Sequence, residues 1–328
     1  MTELISDSGG DPVRFVDGAG YVDLRHWMSE NPHWEKLLHE RGYVIFRDFA
    51  IHDAATFDAC LDLLFCPSRE FSEETSPRSS VSAKLFTSTD YPPEYPIQFH
   101  HEFSYRQNYP DRLAFCCLRA PRAGGATPMA DSRKMLERIS PDVVAKFEQL
   151  GIAYVRNYVT GMGLSWADAF GTSDKSVISA YCEEHDIVYA WRGDDLHTRQ
   201  VAPAIRVHPV TGERAWFNSV LNLNVAGVEP ADARDVLMSL PDDLIPINTT
   251  YGSGEPIEPE TLEHVRESYA DVGMRFDWRE TDLMLIDNIL TAHAREPFEG
   301  DRRVLVGMGS APVRKEPVVM NPFEDPNL

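Results

Sequence analysis

The segment 99–102, Phe-His-His-Glu, supplies metal-binding side chains, and a further histidine, His293, stands far downstream. On an extended strand, residues two apart share a face, so His100 and Glu102 point the same way while His101 points to the other side. Two imidazoles and one carboxylate on one side of a metal leave its other side open, as in non-haem Fe(II) oxygenases. We therefore expect an iron site that one strand supplies and a distant strand completes.

An oxygenase of this kind that uses a 2-oxo acid also needs a cation for the distal carboxylate of that acid, and a hydroxyl group to share it. Arg302 and Arg303 follow His293 closely, and the planar guanidinium group binds a carboxylate through two hydrogen bonds. Alternate residues of the strand 303–307 share a face, so only one of the two arginines can point inward. Thr127, at the end of the turn 124–127, offers the hydroxyl group.

Composition sets limits on the class of protein. The chain has 328 residues, of which 43% are hydrophobic and 25% charged, as in ordinary globular proteins, and a net charge of −21. This charge disfavours nucleic acid and anionic membrane surfaces as partners, although it leaves an anionic substrate open. The five cysteines form no C-x-x-C pair and are interpreted as reduced residues. Because no export signal and no membrane-spanning run is visible, we expect a cytoplasmic protein.

Hydrophobic periodicity predicts short strands with helices packed outside them, in a single domain 1–328 with a core of about 42–310. The predicted helices are 34–41, 54–65, 132–138, 141–150 and 175–185. The predicted strands are 43–46, 113–118, 152–158, 187–191, 204–207, 215–217, 283–287 and 304–307. Residues 74–96 are predicted to form a loop, 229–271 a mainly helical, acidic insertion, and His293 lies on a loop between the last two strands. This mainly β pattern with flanking helices (α+β) favours a jelly-roll barrel, the double-stranded β-helix.

Several segments together carry a resemblance to a known family. They are 97–105, 124–133, 154–158, 208–213, 216–218, 251–254 and 293–303. In this order they resemble the taurine catabolism dioxygenase superfamily of Fe(II)/2-oxoglutarate enzymes, whose fold is clavaminate synthase-like. Within that superfamily, the chain is most similar to the branch of syringomycin-type aspartyl hydroxylases. The resemblance extends from about residue 42 to residue 308.

The resemblance implies roles for particular residues. His100, Glu102 and His293 would bind the iron, while Thr127 and Arg303 would bind the distal carboxylate of 2-oxoglutarate. With O2, the co-substrate would be converted to succinate and CO2 as a C–H bond is hydroxylated. The implied substrate is an amino acid or related small metabolite of secondary metabolism, free or attached to a carrier protein.

Other outcomes stay open at this stage. Desaturation, cyclisation or epoxidation would need only a different placement of the substrate. A barrel that binds a metal or metabolite without redox turnover is the alternative from another class, and the presence of both Thr127 and Arg303 argues against it. The sequence leaves the oligomeric state undecided. The candidate residues for substrate binding are Arg295, Asn157, Tyr105, Trp216 and Asn218, and Arg295 could instead brace its own loop.

Three positions bear on the substrate. Sulfonate-cleaving members have a second arginine four residues past the co-substrate arginine, where this chain has Gly307, so taurine is disfavoured. Ser219 stands where related sequences tend to have histidine, which indicates a pocket altered for a different substrate. Halogenating relatives lose the carboxylate ligand, but Glu102 is present, so chlorination is not expected.

Overall fold

The computed structural model describes residues 6–7, 13–19, 21, 23–67, 73–75, 80–82, 84–88 and 91–310. Its strands are β1 (Ser6–Asp7), β2 (Val13–Asp17), β3 (Tyr43–Arg47), β4 (Cys66–Pro67), β5 (Leu85–Thr87), β6 (Ile97–His100), β7 (Arg112–Arg119), β8 (Ala123–Gly124), β9 (Met129–Asp131), β10 (Ile152–Tyr158), β11 (Val188–Arg192), β12 (Asp195–Ala202), β13 (Ile205–Val207), β14 (Arg214–Trp216), β15 (Ile247–Tyr251), β16 (Leu283–Asp287), β17 (Thr291–Arg295), β18 (Phe298–Glu299) and β19 (Arg303–Ser310).

The α-helices are α1 (Leu24–Glu30), α2 (Trp34–Arg41), α3 (Ala54–Leu64), α4 (Ser132–Arg138), α5 (Pro141–Leu150), α6 (Trp166–Phe170), α7 (Lys175–Glu184), α8 (Ala231–Met238) and α9 (Pro259–Val272). Two 3-10 turns add Val225–Gly227 and Asp242–Leu244. The protein is therefore a mixed structure with many strands and many helices. In the part of the chain that the structure describes, no helix combines the length and apolar character needed to cross a lipid bilayer.

The strands form one large sheet and several small ones. The eight-stranded sheet has the order β1-β2-β3-β16-β7-β19-β4, with β5 paired to β19, and only the β2–β3 pairing is parallel. A three-stranded sheet has the order β6-β17-β9. A four-stranded sheet, β11-β12-β10-β15, and two strand pairs, β13–β14 and β8–β18, complete the described structure.

The large sheet is buried on both faces. Along β16, Leu283 and Leu285 belong to one apolar cluster, which contains buried residues of α1, α2 and α3. Met284 and Ile286 belong to another cluster, which also contains residues of β9 and β17. Because side chains alternate along a strand, helices therefore cover one face of the large sheet, while the three-stranded sheet packs over the other.

Most of the predicted elements are confirmed, and some are wrong in instructive ways. The bounds predicted for α2, α4 and α5 agree with the structure. The predicted loop 74–96 contains β5, and its residues 76–79, 83 and 89–90 lie outside the described residues. The segment 229–271 does contain α8 and α9, but it also contains β15, which pairs with β10, so it is more than a helical cover. His293 lies on a strand, β17, and not on a loop.

Candidate metal centre and co-substrate pocket

The structure brings His100, Glu102 and His293 together. The strands β6 and β17 are antiparallel neighbours, and His293 is directly opposite His100 in their register. One potential ligand atom from each of the three side chains lies within 4.8 Å of the others. The two imidazole rings are 4.3 Å apart between centroids, and His293 Nε2 lies 4.0 Å from Glu102 Oε2. Only His100 is on β6, because that strand ends there and Glu102 follows in a turn.

The donor set fits a divalent first-row metal such as Fe(II). Two imidazole nitrogens and one carboxylate match the ligands that such ions take in oxygenases. The Nδ1 atom of His100 lies 2.9 Å from the backbone carbonyl of Gln98. A carbonyl oxygen only accepts, so Nδ1 carries the proton and the lone pair is on Nε2. Metal-binding histidines are commonly fixed in this tautomer by such a hydrogen bond.

His101 is not one of the three candidate metal-binding residues. It is fully buried, with Nε2 2.7 Å from Ser132 Oγ and Nδ1 3.0 Å from the carbonyl oxygen of Asn218. Burial lowers the pKa of His101 to about 3, so the ring is neutral at ordinary pH. These contacts agree with the expectation that His101 points away from His100 and Glu102.

Arg302 and Thr127 form a polar pair beside the candidate metal-binding residues. Arg302 donates from Nη2 to Thr127 Oγ1 at 3.2 Å, from Nε to the Gly125 carbonyl at 3.0 Å, and from Nη1 to Ser88 Oγ at 3.3 Å. Thr127 Oγ1 also accepts from Trp278 Nε1 at 3.0 Å. Burial is the main cause that lowers the pKa of Arg302, to about 10, so the side chain is still cationic at neutral pH.

The structure contradicts the prediction that Arg303 points into this pocket. Arg303 is exposed and pairs with Arg119 in the strand register, next to an irregularity between Arg303 and Val304. Val304 and Val306 belong to the apolar cluster on the side of the three-stranded sheet. Arg302 lines the cavity on that inner face, whereas Arg303 does not line it. The sequence was right that only one of the two arginines points inward, but the inward one is Arg302.

One cavity of about 540 Å³ contains both groups of residues. It lies between the three-stranded sheet, β7, β19 and the loops before β6 and after β14. Its polar lining includes His100, Glu102, His293, Thr127, Arg302, Gln98, Ser219 and Asn222, and its apolar lining includes Ile97, Phe103, Phe115, Leu164, Leu223, Val228 and Val306. A cavity of this size with a few convergent polar groups is typical of a small-molecule site.

Two of the candidate substrate-binding residues line the cavity. Tyr105 is buried there, and its hydroxyl group donates to the Glu73 carbonyl at 2.7 Å. Arg295 also lines it, but its Nη atoms donate to the carbonyls of Tyr91, Pro92 and Tyr95 at 2.9, 2.6 and 2.8 Å. Of the two roles considered for Arg295, these contacts support the bracing of the segment 91–95.

The other three candidates do not line the cavity. Asn157 donates to the carbonyls of Asp242 and Ile245, at 2.8 and 2.7 Å, and so fixes the turn before β15. Trp216 is fully buried against Phe147. The amide nitrogen of the Asn218 side chain donates to the Ala204 carbonyl at 3.1 Å. These side chains build the structure behind the pocket, and their prediction as substrate-binding residues is not supported by their positions.

Several residues of the site were not predicted from the sequence. Ser88 and Trp278 orient the Arg302–Thr127 pair, and neither belongs to a motif that the sequence singles out. Asn288, next to the end of β16, hydrogen-bonds the backbone of Glu102. Its position in the segment between β16 and His293 was the available signal. Ser219, expected to alter the pocket, donates to the His101 carbonyl at 2.9 Å and forms part of the cavity wall.

Comparisons with known proteins identify the family of this chain. Residues 10–308 match the model of the taurine catabolism dioxygenase TauD, TfdA family. The dapdiamide synthesis protein DdaC of Enterobacter agglomerans is 33% identical over 303 residues, 92% of each chain. A clavaminate synthase-like protein of Arabidopsis thaliana is 27% identical over 292 residues, 85% of each chain.

Solved structures show the same fold at lower sequence identity. PvcB of Pseudomonas aeruginosa superposes with a TM-score of 0.56 at 16% identity, covering 94% of this chain and 92% of PvcB. A second PvcB structure, with a TM-score of 0.53, 16% identity and the same coverage, is described as an Fe, α-ketoglutarate-dependent oxygenase from an isonitrile synthetic pathway. With most of its length matched by the family model, the chain belongs to the TauD/TfdA family and is an Fe(II)/2-oxoglutarate-dependent dioxygenase.

Proposed function

We propose that this dioxygenase hydroxylates an amino acid or a related small metabolite of secondary metabolism, either free or attached to a carrier protein. In this proposal His100, Glu102 and His293 hold the iron, and Arg302 with Thr127 holds 2-oxoglutarate. The observation that carries it is that the three candidate metal ligands and the hydrogen-bonded pair of Arg302 and Thr127 line one cavity. DdaC is a dapdiamide synthesis protein and PvcB is an oxygenase from an isonitrile synthetic pathway, and these relatives support a role in secondary metabolism.

When bound, iron and 2-oxoglutarate supply the activation of O2 and the oxidative decarboxylation that gives succinate and CO2. The residues of the chain position and shield this chemistry. Arg302 presents a cation with no acidic partner among the described residues, so it is available to a carboxylate. Trp278 fixes the Thr127 hydroxyl oxygen beside it. A carboxylate held by both groups would be oriented as well as attracted.

The apolar wall would exclude water from the reacting atoms. The ring centroids of Phe115 and His293 are 5.2 Å apart, and Leu223 and Val306 line the same cavity. Exclusion of water strengthens the charge interactions of Arg302 and protects reactive species from side reactions. The cavity would also have to admit the substrate, and Tyr105 is the predicted substrate-binding residue that keeps this role in the proposal.

Two positions favour hydroxylation of a substrate that is not a sulfonate. Glu102 lies in the triad, so the coordination position that halogenating relatives open for a halide would be filled by its carboxylate. With Arg302 as the co-substrate residue, the position four residues later is Val306, which is apolar and lines the cavity. A second arginine for a sulfonate group is therefore missing from that position, as it was when Gly307 was considered.

The proposed architecture is a double-stranded β-helix. The large sheet and the three-stranded sheet share one apolar cluster, and the triad lies on the three-stranded sheet where that sheet faces β7 and β19. This two-sheet arrangement supports a jelly-roll assignment, in which ligands from paired strands meet at the open end of the barrel.

The test measures co-substrate turnover and product mass together. The purified protein with Fe(II), 2-oxoglutarate and O2 is incubated with panels of free amino acids and of the same amino acids attached to a carrier protein. We expect substrate-dependent succinate and a product heavier by one oxygen atom in one panel. Loss of two hydrogen atoms with the same succinate yield would indicate desaturation or cyclisation instead. Succinate formation that survives His100→Ala would contradict the assigned metal centre.

A further inference from the structure

Glu102 lies where regular strand pairing no longer holds the chain. β6 ends at His100, and Phe103, the residue after Glu102, has a φ angle of +52°. A residue with a Cβ rarely adopts this left-handed conformation, and it persists only where the surroundings enforce it. The carboxylate ligand is therefore attached to a backbone that strand hydrogen bonds do not fix, so its direction must depend on other contacts.

The side chain of Asn288 provides such contacts on both sides of Glu102. Its Oδ1 accepts from the Glu102 backbone N–H at 2.9 Å, and its Nδ2 donates to the Glu102 carbonyl at 2.9 Å. The same Nδ2 donates to the Pro110 carbonyl at 2.8 Å. Asn288 is fully buried, so water does not compete for these hydrogen bonds. One carboxamide thus holds both backbone polar groups of the ligand residue.

Asn288 is itself held rigidly by its neighbours. Its backbone N–H donates to the Asp111 carbonyl at 2.8 Å. Asp287 Oδ1 accepts from the N–H groups of Ile289 and Leu290, at 3.0 and 3.1 Å, which closes the turn between β16 and β17. The turn that carries Asn288 leads directly into the strand of His293. The turn whose Asn288 hydrogen-bonds Glu102 is therefore continuous with β17, the strand that carries His293.

We propose that Asn288 is a positioning residue that sets the direction of the Glu102 carboxylate for metal binding. The inference rests on the proposed metal centre and adds a residue that touches neither metal nor substrate. To hydrogen-bond both the backbone N–H and the carbonyl of Glu102, one short side chain must carry a donor and an acceptor. Among short side chains, the carboxamide of asparagine supplies both. Partners that orient metal ligands commonly contribute a large share of metal affinity, which is why a change at Asn288 should be felt at the metal.

The test is the affinity for Mn(II), an air-stable divalent probe, measured on the full chain by electron paramagnetic resonance titration. Asn288→Ala should raise the Mn(II) dissociation constant about 10- to 100-fold. Asn288→Asp keeps the side-chain volume but places a carboxylate against the carbonyls of Glu102 and Pro110. It adds negative charge near a dication, which by attraction alone would tighten binding. The positioning role predicts weaker Mn(II) binding in both variants and an altered Mn(II) spectrum.

Asn157 offers a matched control. It is also buried, its Nδ2 also donates to two backbone carbonyls, and it does not line the cavity. Asn157→Ala should lower the melting temperature to a similar degree and leave the Mn(II) dissociation constant within twofold of the wild-type value. Equal losses of affinity in the Asn157 and Asn288 variants would overturn the inference, because the effect would then be a general loss of stability.

His100→Ala separates this inference from the proposed function. If His100→Ala loses Mn(II) while both Asn288 variants keep wild-type affinity, the metal centre stands and the role of Asn288 is wrong. If Asn288→Asp binds Mn(II) more tightly than the wild type, charge and not position decides, and the role of Asn288 is again wrong. Wild-type affinity in His100→Ala would remove the metal centre itself. Should Asn288→Ala fail to fold, the isosteric Asn288→Asp decides the question.

Discussion

Replacing Arg302 by alanine tests whether Arg302, and not Arg303 as the sequence predicted, binds 2-oxoglutarate. Arg302 is mostly buried, its guanidinium group donates to Thr127, Gly125 and Ser88, and it has no acidic partner among the described residues. Arg303, its neighbour, is exposed. If Arg302 binds the distal carboxylate of 2-oxoglutarate, Arg302→Ala should weaken the binding of this co-substrate strongly. Arg303→Ala, which removes the same charge one residue away, is the matched control.

The size of the effect follows from burial. Truncating one partner of a buried, hydrogen-bonded charge pair costs about 2–5 kcal/mol. At about 1.4 kcal/mol for each factor of ten, this raises the 2-oxoglutarate dissociation constant by roughly 30-fold to several thousand-fold. An exposed charge such as Arg303 contributes about 0–1 kcal/mol, so its removal should change the constant by no more than roughly fivefold. Arg302→Lys should be intermediate, because it keeps the charge but loses the planar pair of donors.

The assay is calorimetric titration of the Mn(II)-loaded protein with 2-oxoglutarate, which separates binding from turnover. Circular dichroism melts of each variant check that the fold is retained. The reasoning is refuted if Arg302→Ala binds 2-oxoglutarate with wild-type affinity. A large loss in Arg303→Ala with none in Arg302→Ala would return the role to the residue that the family resemblance had implied.

Three further predictions concern the triad, the hydroxyl group and the large sheet. His293→Ala should abolish Mn(II) binding and turnover with little change in the circular dichroism spectrum, and retained turnover would remove His293 from the metal centre. Thr127→Ala should weaken 2-oxoglutarate binding about fivefold, for a hydrogen bond of about 1 kcal/mol, whereas Thr127→Ser should bind it like the wild type. Equal losses in both would show that the methyl group, not the hydroxyl, matters. Asp282→Ala leaves Arg47, its buried partner at 2.8 Å, uncompensated. It should lower the free energy of unfolding by about 3–5 kcal/mol in urea titrations, and Mn(II) affinity should stay unchanged; a loss below 1 kcal/mol would contradict this.

The parts of the fold that the sequence predicted well have strong local signals. α2 is followed directly by Gly42, whose φ angle of +79° is the left-handed conformation that favours glycine after a helix. α5 begins with Pro141 in its first turn, where proline lacks only an N–H that would have no helical partner. The triad was predictable for a different reason, because few residue types bind iron and their spacing limits the choices. The types and spacing of the residues thus predicted the site, and glycine and proline residues at the helix ends predicted the helix bounds.

The parts that the sequence missed depend on contacts between distant segments. β17 is buried at every residue from Thr291 to Arg295, including its polar ones, so no alternation marks it as a strand. Arg295 is buried because the carbonyls of the segment 91–95 surround its guanidinium group, which no local pattern reveals. For the same reason Trp278 and Ser88 could not be placed beside Arg302. Each contact joins parts of the chain that lie far apart in sequence.

The sequence gives no direct signal that distinguishes Arg302 from Arg303 as the inward-pointing residue. Residues 304–306 are all apolar, because both faces of the large sheet are covered, so the alternation along β19 has no visible phase in the sequence. The position of Gly307 shows which face of β19 each residue occupies. A Cβ atom at Gly307 would lie 2.3 Å from Leu61 Cδ1 of α3, so this position faces the helix layer and has no room for a side chain. Arg303, an even number of residues from Gly307, is exposed, and Arg302, an odd number away, lines the cavity.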